Sequence, residues 1–179
     1  MEPFVWIEEN GKAPVLRLTA WERRMPLLSV GFTSRIGGVS EGRFGTLNCG
    51  LHVQDDPDRV VENRMRIADA AGFDFAAWTI AEQVHGDQVA VVGAAERGRG
   101  RLSMGDALPG FDAMVTDESG ICLAACFADC VPLFFLDVER RAVGIAHAGW
   151  KGTTMRIAER TIEAMQRRYG SRPESILAA

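Results

Sequence analysis

The sequence is poor in the residues that usually carry polar chemistry. Its 179 residues include three histidines, four cysteines and one tyrosine. Lysine is scarcer still, since Lys12 and Lys151 are the only two among 20 basic residues. There is no excess of positive charge, the net value being −4, which argues against a broad surface for nucleic acid. No apolar run approaches the roughly 20 residues that a membrane-crossing helix needs. The opening "MEPFVWIEEN" lacks the basic and apolar regions of a secretory leader, so a cytoplasmic protein is expected. Thiols stay reduced in that compartment. Cys49, Cys122, Cys126 and Cys130 are therefore expected as core residues, ligands or nucleophiles, not disulfides. Internal repeats and low-complexity tracts are absent, as are G-x-S-x-G, H-E-x-x-H and a G-x-G-x-x-G following a strand.

What is present suits a soluble globular domain with a full core. "PLLSVGFTSR" predicts a strand ending in a turn, and 35–50 a long loop holding five glycines. A helix is expected over "DDPDRVVENRMRIADAAG", capped by Asp55 or Asp56, with Pro57 in its first turn and Gly72 as its stop. Val60, Val61, Met65 and Ala68 form its predicted apolar stripe. Two short strands are expected around the turn at His85-Gly86, and 94–110 is polar enough for a mobile loop or lid. Four strand-like runs follow, at 112–117, 121–126, 132–137 and 142–147, and their short connections favour antiparallel or mixed pairing. "TTMRIAERTIEAMQRRYG" predicts an amphipathic helix with Ile157, Ala158, Ile162, Met165 and Tyr169 on one face and Gly170 at its end. The run 176–179 begins to look like a further strand. The class expected is α+β.

Two scarce residues fall at the ends of neighbouring strands. Cys130 precedes Pro132, which marks the start of one strand, and His147 ends the next. If 132–137 and 142–147 form a hairpin, Cys130 and His147 meet at one edge of the sheet. His85, in the polar turn "EQVHGDQ", is a third member for such a cluster, with His52 as the alternative. One thiolate and two imidazoles make a three-ligand zinc set that leaves a fourth position open. Zinc there would hold Cys130 as thiolate and activate water near neutral pH. The spacing of Cys122, Cys126 and Cys130 matches no usual iron–sulfur or zinc-ribbon pattern. "TSRIGGVS" sets Arg35 beside two glycines, so backbone N–H groups and a guanidinium are placed to clasp a phosphate. "GWKGTT" leads into a helix start, a second natural anion site, although the full P-loop pattern is absent.

The stretches "TSRIGGVSEGRFGTLNCGLHVQDDPDRVVENR", "EQVHGDQV", "FDAMVTDESG", "FADCVPLFFLD" and "AHAGWKGT" resemble, in content and order, the YfiH-type family. Its members were first described as laccase-domain polyphenol oxidases, and later as zinc-dependent purine nucleoside phosphorylases with adenosine deaminase side activity. The resemblance implies that His85, Cys130 and His147 bind the catalytic metal, zinc in preference to copper. It implies a layered α/β/β/α fold with mixed, largely antiparallel sheets, similar to a deamidating bacterial toxin domain. Arg35 is then the phosphate or substrate contact, and Asn48, Gln83 and Lys151 fall in matching motifs as further substrate-binding positions; Asn63 and Asp129 fall in matching motifs too, and Asp129, next to Cys130, is a candidate for proton transfer. The implied partners are a small-molecule nucleoside (adenosine, inosine or 5′-methylthioadenosine) and phosphate, with no nucleic acid and no membrane. Residues 1–179 are expected as a single domain of this type. Family members continue past "PESILAA", so a missing C-terminal segment is expected. A metal-independent amidase is the second reading, with Cys130 as nucleophile and His147 as base, acting for example on cell-wall precursors. A multicopper oxidase would need many more histidines than three.

Overall fold

The computed structural model describes residues 3–179. The chain divides into two compact units, one running up to Phe75 and including Arg101–Met104, the other comprising Ala76–Gly100 and Gly105–Ala179.

In the first unit, β1 (Val5–Ile7), β2 (Val15–Arg17) and β3 (Gly31–Thr33) form an antiparallel sheet, with α1 (Thr19–Glu22) between the last two strands. The long helix α2 (Pro57–Ala71) starts as expected. Asp56 caps it by accepting the Asp58 N–H, Pro57 opens it, and Gly72 closes it in the left-handed region. Its buried face differs from the predicted stripe. Val60, Asn63, Arg64, Ile67 and Ala68 are buried, whereas Met65 is exposed. The polar pair can face inward because loop carbonyls receive its N–H groups. Asn63 donates to the Asn48 carbonyl, and Arg64 donates to those of Cys49 and Arg101.

The second unit contains β4 (Trp78–Ile80), β5 (Val89–Val91), β6 (Ala113–Thr116), β7 (Cys122–Ala124), β8 (Val131–Asp137), β9 (Ala142–Ala148), α3 (Trp150–Thr154), α4 (Ile157–Tyr169) and β10 (Ile176–Ala178). Five strands form one sheet in the order β10-β8-β9-β6-β5, while β4 and β7 pair in parallel as a separate ribbon. The hairpin β8–β9 and the pairs β6–β9 and β8–β10 are antiparallel, and β5–β6 is parallel. The architecture is thus mixed and largely antiparallel, as expected. The two strands flanking His85 do not pair with each other, because β4 joins β7 and β5 joins β6.

Strand parity assigns the two faces of the larger sheet. Ala113 and Val115 of β6, Ala142 and Ala146 of β9, and Phe135 of β8 pack with Ile157, Ala164 and Met165 of α4 into one core. Small residues on β9 let the helix approach closely. A Cβ on Gly144 would lie 3.1 Å from Val115 Cγ1 and 3.4 Å from Thr161 Cγ2. His147 lies on the opposite face from Ala146.

Two expectations are corrected here. The helix predicted from Thr153 to Tyr169 is broken, because Arg156 adopts φ +66° and separates a five-residue α3 from α4. The segment 94–110 is also not free as a lid would be. Ile80 N–H donates to the Arg99 carbonyl, Leu108 N–H to that of Ile80, and Gly98 N–H to Thr79 Oγ1, while Ala107 and Leu108 are buried.

Candidate metal centre

The β8–β9 register sets Pro132 opposite His147 and Val131 opposite Ala148, which carries Cys130 to the edge where β9 ends. The β6–β9 register sets Ala113 opposite Ala146, which places Asp112 beside His147 on the same face. The expected meeting follows. One ligand atom each from His85, Cys130 and His147 lies within 4.8 Å of the others, and no other such group of three occurs among the described residues. The His85 and His147 rings meet edge to face at 4.8 Å, and Phe127 lies 5.5 Å from the His147 ring. His52 belongs to the first unit and is not part of this group.

Burial grades across the trio: His147 is 4% exposed, Cys130 is half-buried and His85 is exposed. The buried imidazole is held from behind. His147 Nδ1 lies 2.8 Å from Asp112 Oδ1, and the His147 backbone N–H donates to the Asp112 carbonyl at 2.7 Å. The Asp112 carboxylate also accepts the backbone N–H groups of Val84 at 3.0 Å, His85 at 3.0 Å and Gly86 at 2.6 Å. Burial pushes the Asp112 carboxyl up, but the hydrogen bonds from His147 and the three amides outweigh it and hold the group below its usual range. Sequence reasoning quoted the stretch containing Asp112 without singling it out. The signal lay in strand parity, since Asp112 immediately precedes β6, the strand that pairs with the histidine-bearing one.

The donor set fits a metal ion. Two imidazoles and a thiolate suit zinc, whose tetrahedral ligands lie roughly 3.5 Å apart, so shifts of about an ångström bring the trio together. Room has been left for this. A Cβ on Gly149 would sit 3.0 Å from Cys130 Sγ and 3.1 Å from His85 Cδ2, closer than ordinary contact, so a side chain there would press on two members of the trio. Without an ion, burial pushes the Cys130 thiol up, and the carboxylates of Asp129 and Asp112 push it the same way. A bound cation would reverse that direction.

The other predicted positions are placed less uniformly. Gln83 spends both ends of its amide on the Cys126 backbone, donating to its carbonyl and accepting its N–H, each at 2.8 Å. Asn48 donates to Asp55 and accepts the Gly50 N–H within the first unit. Asn63 is fully buried there. Arg35 is exposed and spends Nε on the Gly45 carbonyl at 2.9 Å. Of the neighbouring amides, those of Ile36, Gly38, Val39 and Ser40 are not free to clasp an anion, because they donate to internal acceptors. Lys151 is exposed on α3, with Nζ 5.7 Å from the centre of the Trp150 ring. Asp129 is exposed beside Cys130. No helix among the described residues is long and apolar enough to cross a membrane.

The purine nucleoside phosphorylase YlmD of Geobacillus stearothermophilus is 44% identical over 149 residues, covering 83% of this chain and 54% of that protein. A purine nucleoside phosphorylase of Deinococcus radiodurans is 45% identical over 161 residues, covering 87% of this chain and 57% of its own length. The crystal structure of the hypothetical protein YfiH of Bacillus licheniformis superposes with a TM-score of 0.90 at 40% identity, over 99% of this chain and 64% of that one. The chain thus spans little more than half the length of these sequence relatives. The model of a family described as multi-copper polyphenol oxidoreductase laccase matches residues 29–179, and the chain belongs to that laccase-domain, YfiH-type family.

Proposed function

We propose that the chain carries the metal centre of a zinc-dependent purine nucleoside phosphorylase. The observation that supports this most is the convergence of His85, Cys130 and His147 beside the space kept by Gly149. Relatives bearing the name purine nucleoside phosphorylase supply the reaction class. Zinc held by the trio would supply a Lewis acid at an open coordination position. Phosphorolysis joins a phosphate oxygen to ribose C1′ as the C1′–N9 bond breaks, and the purine leaves with the electron pair and takes up a proton. Arg35 is the proposed phosphate contact, its terminal nitrogens having no partner among the described residues, and Lys151 the second cation for substrate. Asn48 and Gln83 act in this reading by holding backbone in place. Val84, Val131 and Trp150 are exposed apolar neighbours in sequence of His85, Cys130 and Gly149, a composition suited to a purine face. Adenosine, inosine and 5′-methylthioadenosine are the proposed substrates, with adenosine deamination as a side activity.

Several coppers per chain would require many more imidazoles than three. Elemental analysis of the purified chain should find about one zinc, as one three-ligand site implies. Supplied with phosphate and adenosine or inosine, the chain should form ribose-1-phosphate and free base, and Cys130→Ala and His85→Ala should not. Unchanged turnover in both variants removes the reading.

One observation favours a second reading. Cys130, His147 and Asp112 also stand in the order nucleophile, base and orienting carboxylate. Against it, a nucleophilic thiol needs a depressed pKa, whereas that of Cys130 is raised. A chelator separates the two, since it abolishes metal-dependent turnover and spares a metal-free thiol enzyme that alkylation still inactivates.

A further inference from the structure

We infer that Asp112 is the positioning residue of the metal centre, fixing two of the three ligands at once: His147 through its ring and His85 through the backbone of its turn. The inference deepens the zinc reading above and rests on it.

A carboxylate offers about four lone-pair sites on its two oxygens. Asp112 Oδ1 takes His147 Nδ1 and the His85 N–H, while Oδ2 takes the N–H groups of Val84 and Gly86. All four sites are used, and the group is 3% exposed, so water does not compete for them. Three successive amides pointing at one carboxylate define the shape of the turn, in which His85 holds φ +61°, a left-handed conformation uncommon for a side-chain-bearing residue. The Nδ1 contact makes the other ring nitrogen, Nε2, the ligand atom of His147. Two segments far apart in sequence thus depend on one side chain for ligand geometry, while Cys130 does not bond to it.

This makes Asp112→Asn a severe change despite its equal size. A carboxamide has one acceptor oxygen, and its NH2 would face two N–H donors. Loss of an outer partner of this kind typically weakens metal binding by about 10- to 100-fold. Competition of the purified chain against a chromogenic chelator should show that loss in zinc affinity for folded Asp112→Asn. Cobalt(II) should report it in kind: the thiolate-to-metal band persists because Cys130 is untouched, while the d–d bands shift as the imidazoles move. Zinc affinity within twofold of wild type, with an unchanged cobalt spectrum, overturns the inference alone. A wild-type chain that binds no zinc overturns the reading beneath it. Should Asp112→Asn not fold, the metal-free wild-type protein decides. By 15N NMR its His147 should be the Nδ1–H tautomer, and the Val84, His85 and Gly86 amides should exchange slowly despite lying in a surface turn. An Nε2–H tautomer, or fast exchange at all three amides, refutes the assignment.

Discussion

The loop around Arg35 in the first unit and the centre around Cys130 in the second are both rich in polar side chains, but they use them in opposite ways. In the first, polar groups satisfy one another. Asn63 donates to Ser40 Oγ and the Asn48 carbonyl and accepts the Val39 N–H, each at 2.8 Å. Ser40 donates to Asp55 at 2.7 Å, and Asp55 also takes the Asn48 amide at 2.9 Å. In the second, Asp112 is saturated, but the groups it supports are not. The His85 ring makes no hydrogen bond among the described residues, and His147 is engaged by Asp112 through Nδ1. A closed network holds a shape, whereas a convergent set with unused donor atoms retains capacity for a ligand.

The largest effect expected from this contrast is at Cys130. Cys130→Ala should weaken zinc binding by more than about 100-fold and abolish phosphorolysis, yet leave the metal-free chain close to wild type in stability, because the thiol is only half-buried. Chelator competition and urea unfolding measure the two quantities separately. Asn63→Ala should do the reverse. It leaves the Val39 N–H without its partner and empties a fully buried position, which costs about 2–3 kcal/mol. A fall in zinc affinity as large as that of Cys130→Ala would erase the distinction between scaffold and site.

Gly149→Ala comes next and tests whether the space beside the trio is functional. The added methyl meets Cys130 Sγ and His85 Cδ2 at 3.0–3.1 Å, and overpacking of this kind costs about 1–3 kcal/mol. If the strain is relieved by moving the ligands, zinc affinity falls by roughly tenfold with little change in unfolding midpoint. A lowered midpoint with unchanged affinity would mean that the glycine serves packing alone.

How much of this was legible in the sequence follows from how local each signal is. The bounds of α2 were readable because Asp56, Pro57 and Gly72 act within one turn of the helix end. Its buried face was not, because Asn63 and Arg64 turn inward to reach carbonyls of a loop that periodicity does not register. The meeting of Cys130 with His147 was readable because one hairpin carries both. Adding His85 needed either the resemblance or the structure, since the amides of its turn are held by Asp112, 26 residues along from Gly86. The break at Arg156 had no local signal. Arginine is not a usual left-handed residue, and the amphipathic pattern runs on through it.

The smallest expected effect concerns Asp55 and probes the closed network by pH. Burial pushes its carboxyl up, but hydrogen bonds from Asn48, Ser40 and the Asp56 amide, with Arg59 nearby, outweigh this and hold it below its ordinary value. The unfolded chain therefore binds the proton more readily than the folded one. The contribution is fully present above the unfolded value of about 3.9 and is lost as pH falls through the folded value. Asp112 is depressed too, so wild-type acid sensitivity alone does not isolate Asp55. The difference between wild type and Asp55→Asn does. Asparagine keeps one acceptor but carries no charge and does not titrate, so the gap in urea midpoint should be widest at neutral pH and narrow toward pH 3. A gap that stays constant would mean that Ser40 and Asn48 are held by shape, with the Asp55 charge contributing nothing.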